Sequence, residues 1–296
     1  MNAYLKKDGH RPPLRKVLLT ISLSILAGST LFYFSARWFE RSVTFHPERY
    51  TEGAAWKMPE GGEDVWFAGG SGERLHGWYV RARGVEQERA ATVIYFHGNG
   101  GNIYVIGWLG EALSARGFNV LLFDYRGYGR SEGSTLDERG IYEDADAAYN
   151  YVVRERGAKP EQVVLYGQSL GTTAAVDLAA RVHCRAVILE SGLSSASDMA
   201  AMILPWVPVW VYKYGRNHFE SAKKLERVSA PVFVAHGQLD RTIPVEQGYK
   251  LYAAAREPKR LFIVPDAGHN DLIARGGNAY LDALTDFVRT YARSGK

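Results

Sequence analysis

The sequence predicts an α/β fold on a mostly parallel sheet, and three observations support this prediction. Segments typical of strands and of helices alternate along most of the chain. Predicted strands at 120–123 (Val-Leu-Leu-Phe) and 187–189 (Val-Ile-Leu) are apolar without interruption, which indicates helices on both sheet faces. A serine lies between two glycines at 167–171 (Gly-Gln-Ser-Leu-Gly), where a strand passes into a helix. The 296 residues show no internal repeat and accommodate one large domain after an N-terminal extension.

The individual elements follow from local patterns. β-Branched and aromatic runs bounded by turn residues predict eight strands. These lie over 64–67, 74–80, 91–96, 119–123, 162–166, 186–189, 231–235 and 260–264. Longer segments without breakers predict helices after most of the strands. These lie over 103–116, 137–156, 172–180, 245–255 and 279–291.

A long segment between two predicted strands, 191–230, is expected to form a small cap on the sheet. Within it, residues 202–212 are apolar and aromatic and contain two prolines. They are too short and too broken to span a bilayer. A lid over an acyl pocket, or a surface that dips into a membrane, is the alternative to a cap that only packs on the sheet.

Residues 17–36 are expected to form a transmembrane signal anchor. The segment carries no charge, is bounded by Lys16 and Arg37, and as a helix would cross roughly 30 Å of hydrocarbon. Because Lys and Arg are concentrated before this segment, the positive-inside rule predicts that the basic tail 1–16 is cytoplasmic. The body, reached through a connecting segment at 37–59, would then lie on the extracytoplasmic side.

A cleaved signal peptide is the alternative, and the mature protein would then be secreted. Residues 27–29 (Ala-Gly-Ser) fit the small-residue pattern of a cleavage site. The apolar run continues past this triplet through 31–34 (Leu-Phe-Tyr-Phe), which favours an anchor.

Charge and cysteine content exclude several function classes. Residues 1–41 hold seven Lys or Arg and two acidic residues, an excess larger than the net charge of +4 of the whole chain. The body is therefore slightly acidic and offers no case for binding nucleic acid. The single cysteine, Cys184, excludes an internal disulfide and a cysteine-based metal cluster.

Ser169 is the candidate nucleophile. The turn from strand to helix is so sharp that side chains at its two glycine positions would collide with neighbouring backbone. The helix that follows directs its N-terminal N–H groups towards an oxyanion on the substrate. A serine hydroxyl is a poor nucleophile on its own and requires a base that an acid holds in one tautomer.

Asp240 and His269 are the candidate acid and base. Asp240 follows the strand that ends at residue 235, and His269 follows the strand that ends at residue 264. This gives the chain order Ser, Asp, His, and parallel strands would bring all three to the carboxyl edge of one sheet. The chemistry of such a triad needs no metal or organic cofactor.

Other acids and histidines are weaker candidates. Glu190 follows the preceding strand, a position from which some hydrolases take the acid. Asp266 and Asp271 lie in the loop of the candidate histidine and are expected to shape it. His97 and His236 each precede a glycine at a strand end, where a hydrogen bond that braces the loop is expected.

Two backbone N–H groups are expected to form an oxyanion hole. One belongs to Leu170, directly after the nucleophile, and the other to Asn99 in the loop 97–102 (His-Gly-Asn-Gly-Gly-Asn). A phosphate-binding loop is the other interpretation of these glycines. The loop lacks the Gly-Lys-Ser/Thr ending that a phosphate site requires.

Four motifs carry a family resemblance: the loop 97–102, residues 124–133 (Asp-Tyr-Arg-Gly-Tyr-Gly-Arg-Ser-Glu-Gly), residues 167–171 and residues 268–271 (Gly-His-Asn-Asp). They resemble the membrane-anchored α/β-hydrolase-domain serine hydrolases, which include monoacylglycerol and lysophospholipid lipases and protein depalmitoylases. The resemblance implies an α/β-hydrolase catalytic domain over 60–296. It also implies that the 124–133 loop supports the site without reacting.

Together these observations predict a membrane-anchored serine hydrolase that cleaves a small-molecule or lipid ester through an acyl-enzyme. A thioesterase or a peptidase of the same fold would use the same residues. The alternative from another class is a non-catalytic scaffold that binds lipid or protein, and an intact triad argues against it. The sequence identifies no protein partner.

Overall fold

The computed structural model describes residues 13–51, 57–86, 88–134, 137–208, 212 and 214–291. The chain divides into two units, the first ending at Thr44 and the second beginning at Phe45. The first unit contains helix α1 (Leu14–Thr44). Among the described residues, Leu14–Ser35 is the one stretch long and apolar enough to cross a membrane, although a signal sequence near an N-terminus has the same properties. The predicted basic tail falls mostly outside the described residues.

The second unit is built on one sheet whose strands occur in the predicted order. They are β1 (Gly62–Ala68), β2 (Arg74–Val80), β3 (Thr92–Phe96), β4 (Asn119–Phe123), β5 (Val163–Gln168), β6 (Ala186–Glu190), β7 (Val232–Gly237) and β8 (Lys259–Val264). Their spatial order is β1-β2-β4-β3-β5-β6-β7-β8. Strand β2 is antiparallel to both of its neighbours, and the other adjacent pairs are parallel. The prediction of a mostly parallel eight-stranded sheet is confirmed.

Helices cover both faces of this sheet. They are α2 (Ile103–Ser114), α3 (Glu138–Asn150), α4 (Gly171–Ala179), α5 (Ala196–Ile203), α6 (Ser221–Leu225), α7 (Val245–Ala254) and α8 (Leu272–Tyr291). Helices α2 and α8 contribute to the core on one face, and α3, α4, α6 and α7 contribute to the core on the other. The central strands are therefore buried on both sides, as their uninterrupted apolar sequences predict.

Two helices differ from the prediction. The segment 137–156 is α-helical only to Asn150 and continues as a π-helical turn, Tyr151–Glu155. The last helix begins at Leu272 rather than at residue 279, and it is broken at Gly277, where φ is +53°. Glycine adopts this backbone without steric cost. The glycines interrupt the helical pattern, so the first turn before them does not stand out in the sequence.

The segment predicted as a cap, 191–230, contains the short helices α5 and α6. The hydroxyl of Ser195 caps α5 by accepting a hydrogen bond from the N–H of Asp198 at 3.0 Å. Gln247 on α7 fastens the start of the cap, because its Oε1 accepts hydrogen bonds from the N–H and the hydroxyl of Ser194 at 2.9 and 2.6 Å. Residues 209–211 and 213 lie outside the described residues.

The register of the sheet aligns the ends of the strands that lead to the predicted site. Phe96 pairs with Gly167, Gln168 with Glu190, and Gly237 with Val264. The loops that follow β3, β5, β6, β7 and β8 therefore leave the sheet at one edge, which we call the carboxyl edge.

A buried ion pair holds the 124–133 loop. The guanidinium of Arg126 donates hydrogen bonds to Asp144 Oδ1 at 2.7 and 2.9 Å, and the N–H of Arg126 donates to Oδ2 at 2.8 Å. Burial raises the pKa of Asp144 to about 6, even though Arg126 favours the charged form. Replacing Arg126 would leave the buried carboxyl group of Asp144 without its partner, which agrees with the supporting role expected for the loop.

Gly171→Ala tests how tightly α4 packs on β3. A Cβ at this position would lie 2.0 Å from the carbonyl oxygen of Phe96, whereas a Cβ at Gly100 would meet nothing within 4 Å. Overpacking of this kind costs about 1–3 kcal/mol or more. We expect the thermal midpoint of the detergent-solubilised Gly171→Ala protein to fall by at least about 2 °C. Gly100→Ala, the matched control, should leave the midpoint unchanged, and equal midpoints for the two variants would contradict the packing.

Candidate active site

Ser169 lies on a sharp turn between β5 and α4. Its φ is +54°, a region that L-residues rarely adopt. A Cβ at Gly167 would lie 2.4 Å from the carbonyl oxygen of Gly171, and a Cβ at Gly171 would lie 2.0 Å from that of Phe96. The N–H of Ser169 donates a hydrogen bond to the carbonyl of Glu190 at 2.8 Å, which ties the turn to β6. The two glycines are therefore a steric requirement of the turn.

The serine, histidine and aspartate singled out by the sequence lie in one hydrogen-bonded line. Ser169 Oγ is 2.9 Å from Nε2 of His269, and Nδ1 of His269 is 2.7 Å from Oδ2 of Asp240. When Nδ1–H donates to the carboxylate, Nε2 presents its lone pair to the hydroxyl, which is the arrangement that a general base requires. Ser169 and Asp240 are buried, and the side chain of His269 is 11% exposed.

The carboxylate of Asp240 is fixed from both sides. Its Oδ1 accepts hydrogen bonds from the N–H groups of Thr242 and Ile243 at 2.8 Å each, while Oδ2 faces His269. Burial alone would raise the pKa of Asp240. The neighbouring imidazoles of His236 and His269 and the N–H of Ile243 outweigh burial and hold this pKa below its ordinary value. The group therefore remains a carboxylate at neutral pH.

His97 and His236 brace loops, as the sequence predicts. Nε2 of His236 donates to the carbonyl of Ile243 at 2.8 Å and lies 3.3 Å from Oδ2 of Asp240, so this ring also contacts the candidate acid. Nδ1 of His97 donates to the carbonyl of Gly98 at 2.7 Å. Burial lowers the pKa of His97, which keeps its imidazole neutral near pH 7.

Glu190, the rival acid, is engaged elsewhere. Its Oε2 accepts hydrogen bonds from the hydroxyls of Tyr166 and of Tyr280, the latter at 2.8 Å. Burial raises the pKa of Glu190, although the two tyrosines favour its charged form. His269 contacts the carboxyl group of Asp240. Glu190 instead hydrogen-bonds to two tyrosines in the buried core beneath the site.

Asp266 and Asp271, the two acids in the loop of His269, do not belong to the hydrogen-bonded series of Ser169, His269 and Asp240. Asp271 Oδ1 accepts a hydrogen bond from the N–H of Gly268 at 2.6 Å, and its Oδ2 pairs with Arg275 at 3.2 Å. Asp266 is exposed. Asp271 thus shapes the backbone just before His269, as expected from its position.

The loop after β3 lies directly against Ser169, the candidate nucleophile. A Cβ at Gly98 would lie 2.5 Å from Oε1 of Gln168 and 3.3 Å from Cβ of Ser169. The N–H groups of Asn99 and Leu170 donate no hydrogen bond to another residue in the described part of the chain. Both therefore remain available to a substrate oxygen at this edge.

The side chain of Asn99 is held by a residue that the sequence did not single out. The N–H of His46 donates to Asn99 Oδ1 at 2.9 Å, and His46 Nδ1 lies 2.8 Å from Asn99 Nδ2. The hydroxyl of Tyr128 donates to the carbonyl of Asn99 at 2.8 Å. His46 lies in the predicted connecting segment and carries no local signal of this contact. Tyr128 belongs to the 124–133 motif, which did indicate support near the site.

Comparison with known proteins places this arrangement in a family. A family model described as the alpha/beta hydrolase fold matches residues 91–217. The uncharacterized protein YfhR of Salmonella typhi is 36% identical over 78% of this chain and 83% of its own length. Alpha/beta hydrolase domain-containing protein 17B of Xenopus laevis is 35% identical over 67% of this chain and 66% of its own length.

A solved structure has the same architecture. An esterase of Pyrococcus furiosus superposes with a TM-score of 0.67 at 20% identity, covering 84% of this chain and 98% of the esterase. A sheet of this strand order, with a serine on the turn after β5, defines the α/β-hydrolase fold. The chain belongs to the α/β-hydrolase family.

Replacing the two buried carboxyl groups should change the pH dependence of stability in opposite directions. The lowered pKa of Asp240 contributes stability that is present above the unfolded pKa of about 3.9 and is lost as the pH falls. The raised pKa of Glu190 costs stability as the pH rises above the unfolded value of about 4.3. Relative to wild type, Asp240→Asn should therefore lose stability and Glu190→Gln should gain it as the pH rises from acid to neutral.

Urea unfolding of the full chain in detergent, repeated across that pH range, measures both differences. If plots of the unfolding free energy against pH ran parallel for the two variants, the electrostatic surroundings assigned to these groups would be wrong.

Proposed function

We propose that this chain is a serine hydrolase that cleaves carboxylic esters through an acyl-enzyme, with Ser169, His269 and Asp240 as its triad. The observation that carries the proposal is the continuous line from Ser169 Oγ to His269 (2.9 Å) and on to Asp240 (2.7 Å). Membership of the α/β-hydrolase family supports the same reaction class, since this fold commonly presents such a triad at the same edge.

In the first half of the reaction, Ser169 attacks the ester carbonyl while Nε2 of His269 accepts the hydroxyl proton. The tetrahedral intermediate carries its negative charge on the former carbonyl oxygen. The N–H groups of Asn99 and Leu170 stabilise that oxyanion. The protonated imidazole then donates its proton to the leaving alcohol, and the acyl group remains on Ser169 as an ester.

In the second half, water takes the place of the alcohol. His269 accepts a proton from the water, whose oxygen attacks the acyl carbonyl, and the same N–H groups receive the oxyanion again. Collapse of this intermediate releases the carboxylic acid and returns the proton to Ser169. No step requires a metal or an organic cofactor.

Asp240 acts by orienting His269 and by stabilising the imidazolium. Its carboxylate is held by two backbone N–H groups, so it cannot rotate away as charge develops on the ring. An asparagine at this position could present its NH₂ group to Nδ1 and stabilise the wrong tautomer, which in triads of this type costs about 10⁴ in kcat.

We also propose that α1 anchors the enzyme in a membrane. Leu14–Ser35 has the length and composition of a spanning helix, and Arg and Lys residues are concentrated before it. The positive-inside rule then places the tail in the cytoplasm and the hydrolase unit on the extracytoplasmic side. Protease protection of the intact membrane protein tests this orientation.

Ser169→Ala should abolish covalent labelling by a fluorophosphonate and lower kcat for p-nitrophenyl butyrate by on the order of 10⁴–10⁶. Ser114→Ala is the matched control, because Ser114 lies at the end of α2 away from the carboxyl edge, where its hydroxyl donates to the carbonyl of Arg81. Gel fluorescence and ester hydrolysis by the detergent-solubilised chain report both effects. Labelling of Ser169→Ala at the wild-type rate would refute the assignment.

Asp240→Asn should lower kcat by about 10⁴ through loss of the correct tautomer. Glu190→Gln should retain most activity, because an amide oxygen can still accept the hydrogen bonds of Tyr166 and Tyr280. Initial rates with p-nitrophenyl butyrate separate the two variants. Full activity of Asp240→Asn together with inactive Glu190→Gln would transfer the acid role to Glu190.

A further inference from the structure

We propose that the rim of the site lies at the lipid–water interface of a bilayer, so that an ester dissolved in the membrane enters directly. The inference rests on the proposed anchor and hydrolase activity and adds the surface that meets the lipid. Exposed apolar side chains on three separate segments form this surface, which we call the apolar rim. It consists of Tyr104, Val105, Trp108, Ile203, Trp206 and Leu239.

The first segment is the beginning of α2, which follows the loop that carries Asn99. Tyr104, Val105 and Trp108 are 47–52% exposed, and their spacing places them on one side of the helix. The neighbouring Gly107 faces the sheet, since a Cβ there would meet Trp78 of β2 at 3.2 Å. This side of α2 therefore presents apolar surface to solvent while the other side packs on the sheet.

The second segment is the cap. Ile203 is 63% exposed and Trp206 is 75% exposed, although both are apolar. Met202 beside them is fixed to the domain, because its Sδ accepts a hydrogen bond from Nε2 of Gln247 at 3.1 Å. The end of α5 is thus attached to α7 while its apolar neighbours remain uncovered.

The third segment is the loop that carries the proposed acid. Leu239 is 59% exposed, although it lies between Gly237, whose backbone packs against Ala267, and the buried Asp240. Its own N–H donates to the carbonyl of Ala267 at 2.9 Å. The side chain therefore projects outwards from a rigid loop directly beside the triad.

The three segments follow β3, β6 and β7, so all begin at the carboxyl edge. Of the other large apolar residues exposed in the described second unit, Met58 before β1 and Val85 after β2 lie at the opposite edge, Met202 and Tyr214 belong to the cap, Tyr50 precedes β1 and Tyr249 lies on α7. Large exposed apolar side chains on segments that leave one edge are typical of a surface that meets a partner or a membrane, and Trp and Tyr favour the membrane interface, where the ring is buried and its polar group stays hydrated. The asymmetry therefore indicates a membrane-facing edge.

The short segment between α1's apolar stretch and the hydrolase unit favours the bilayer as what covers the apolar rim. Roughly ten residues separate Ser35, where the apolar stretch ends, from Phe45, and in a helix they span about 15 Å. Phe45 is buried against Phe219 of the cap, and His46 binds Asn99. The first residues of the second unit therefore pack on the cap and on the loop before α2, the two segments that supply most of the apolar rim, and this favours the bilayer as what covers the rim.

Environment-sensitive labels test the orientation in the full chain reconstituted into phosphatidylcholine vesicles. The native Cys184 is buried, and burial raises the pKa of its thiol to about 12, so it resists labelling. We expect a nitrobenzoxadiazole label at Ile203→Cys to emit at shorter wavelength and to be quenched by a nitroxide lipid. The same label at Val85→Cys, the exposed apolar control, should do neither.

Equal emission and equal quenching at the two positions would overturn the proposal. A shift at Ile203→Cys that nitroxide lipid does not quench, but that grows with protein density, would assign the surface to a second copy of this chain and would also overturn it.

A substrate comparison adds a functional readout. The double variant Ile203→Gln/Trp206→Gln should lose about tenfold or more of its rate on p-nitrophenyl palmitate held in vesicles and keep its rate on soluble p-nitrophenyl butyrate. Equal losses on both esters would indicate a structural effect and contradict the proposal. If the wild-type chain hydrolyses neither ester, the proposed function fails, whereas the label experiment still decides the orientation.

Discussion

A serine held at a φ of +54° depends on the two glycines beside it, and the geometry of the site follows from that turn. Any side chain at Gly167 or Gly171 would overlap backbone atoms within 2.4 Å. The turn can therefore bring β5, the start of α4 and the loop after β3 close together. In this arrangement Oγ of Ser169 lies 2.9 Å from Nε2 of His269, which belongs to another loop.

The parts of the site that could be predicted from sequence are those set by local backbone constraints. Glycines around Ser169 and the positions of Asp240 and His269 after apolar strands are visible in short windows, because strand and turn chemistry are local. The contact of His46 with Asn99 spans 53 positions along the chain. It depends on how the segment before β1 packs, and no periodicity encodes that packing.

The choice between the two candidate acids also depends on contacts between residues far apart in the sequence. Glu190 ends β6 and Asp240 follows β7, and sequence position alone left both as candidates. The choice between them depends on the tyrosines that surround Glu190, one of which, Tyr280, lies 90 positions away on α8.

The start of α8 could not be predicted for a similar reason. Local periodicity predicts a helix only after residue 278, because two glycines precede it and Gly277 has a positive φ that interrupts the helix.

A crystal structure of the chain after reaction with a fluorophosphonate would test the central claim most directly. The proposed mechanism predicts phosphorus bonded to Ser169 Oγ, with the phosphonyl oxygen accepting hydrogen bonds from the N–H groups of Asn99 and Leu170. His269 should remain between the adduct and Asp240. Phosphorus on another side chain, or a phosphonyl oxygen turned away from both N–H groups, would contradict the mechanism.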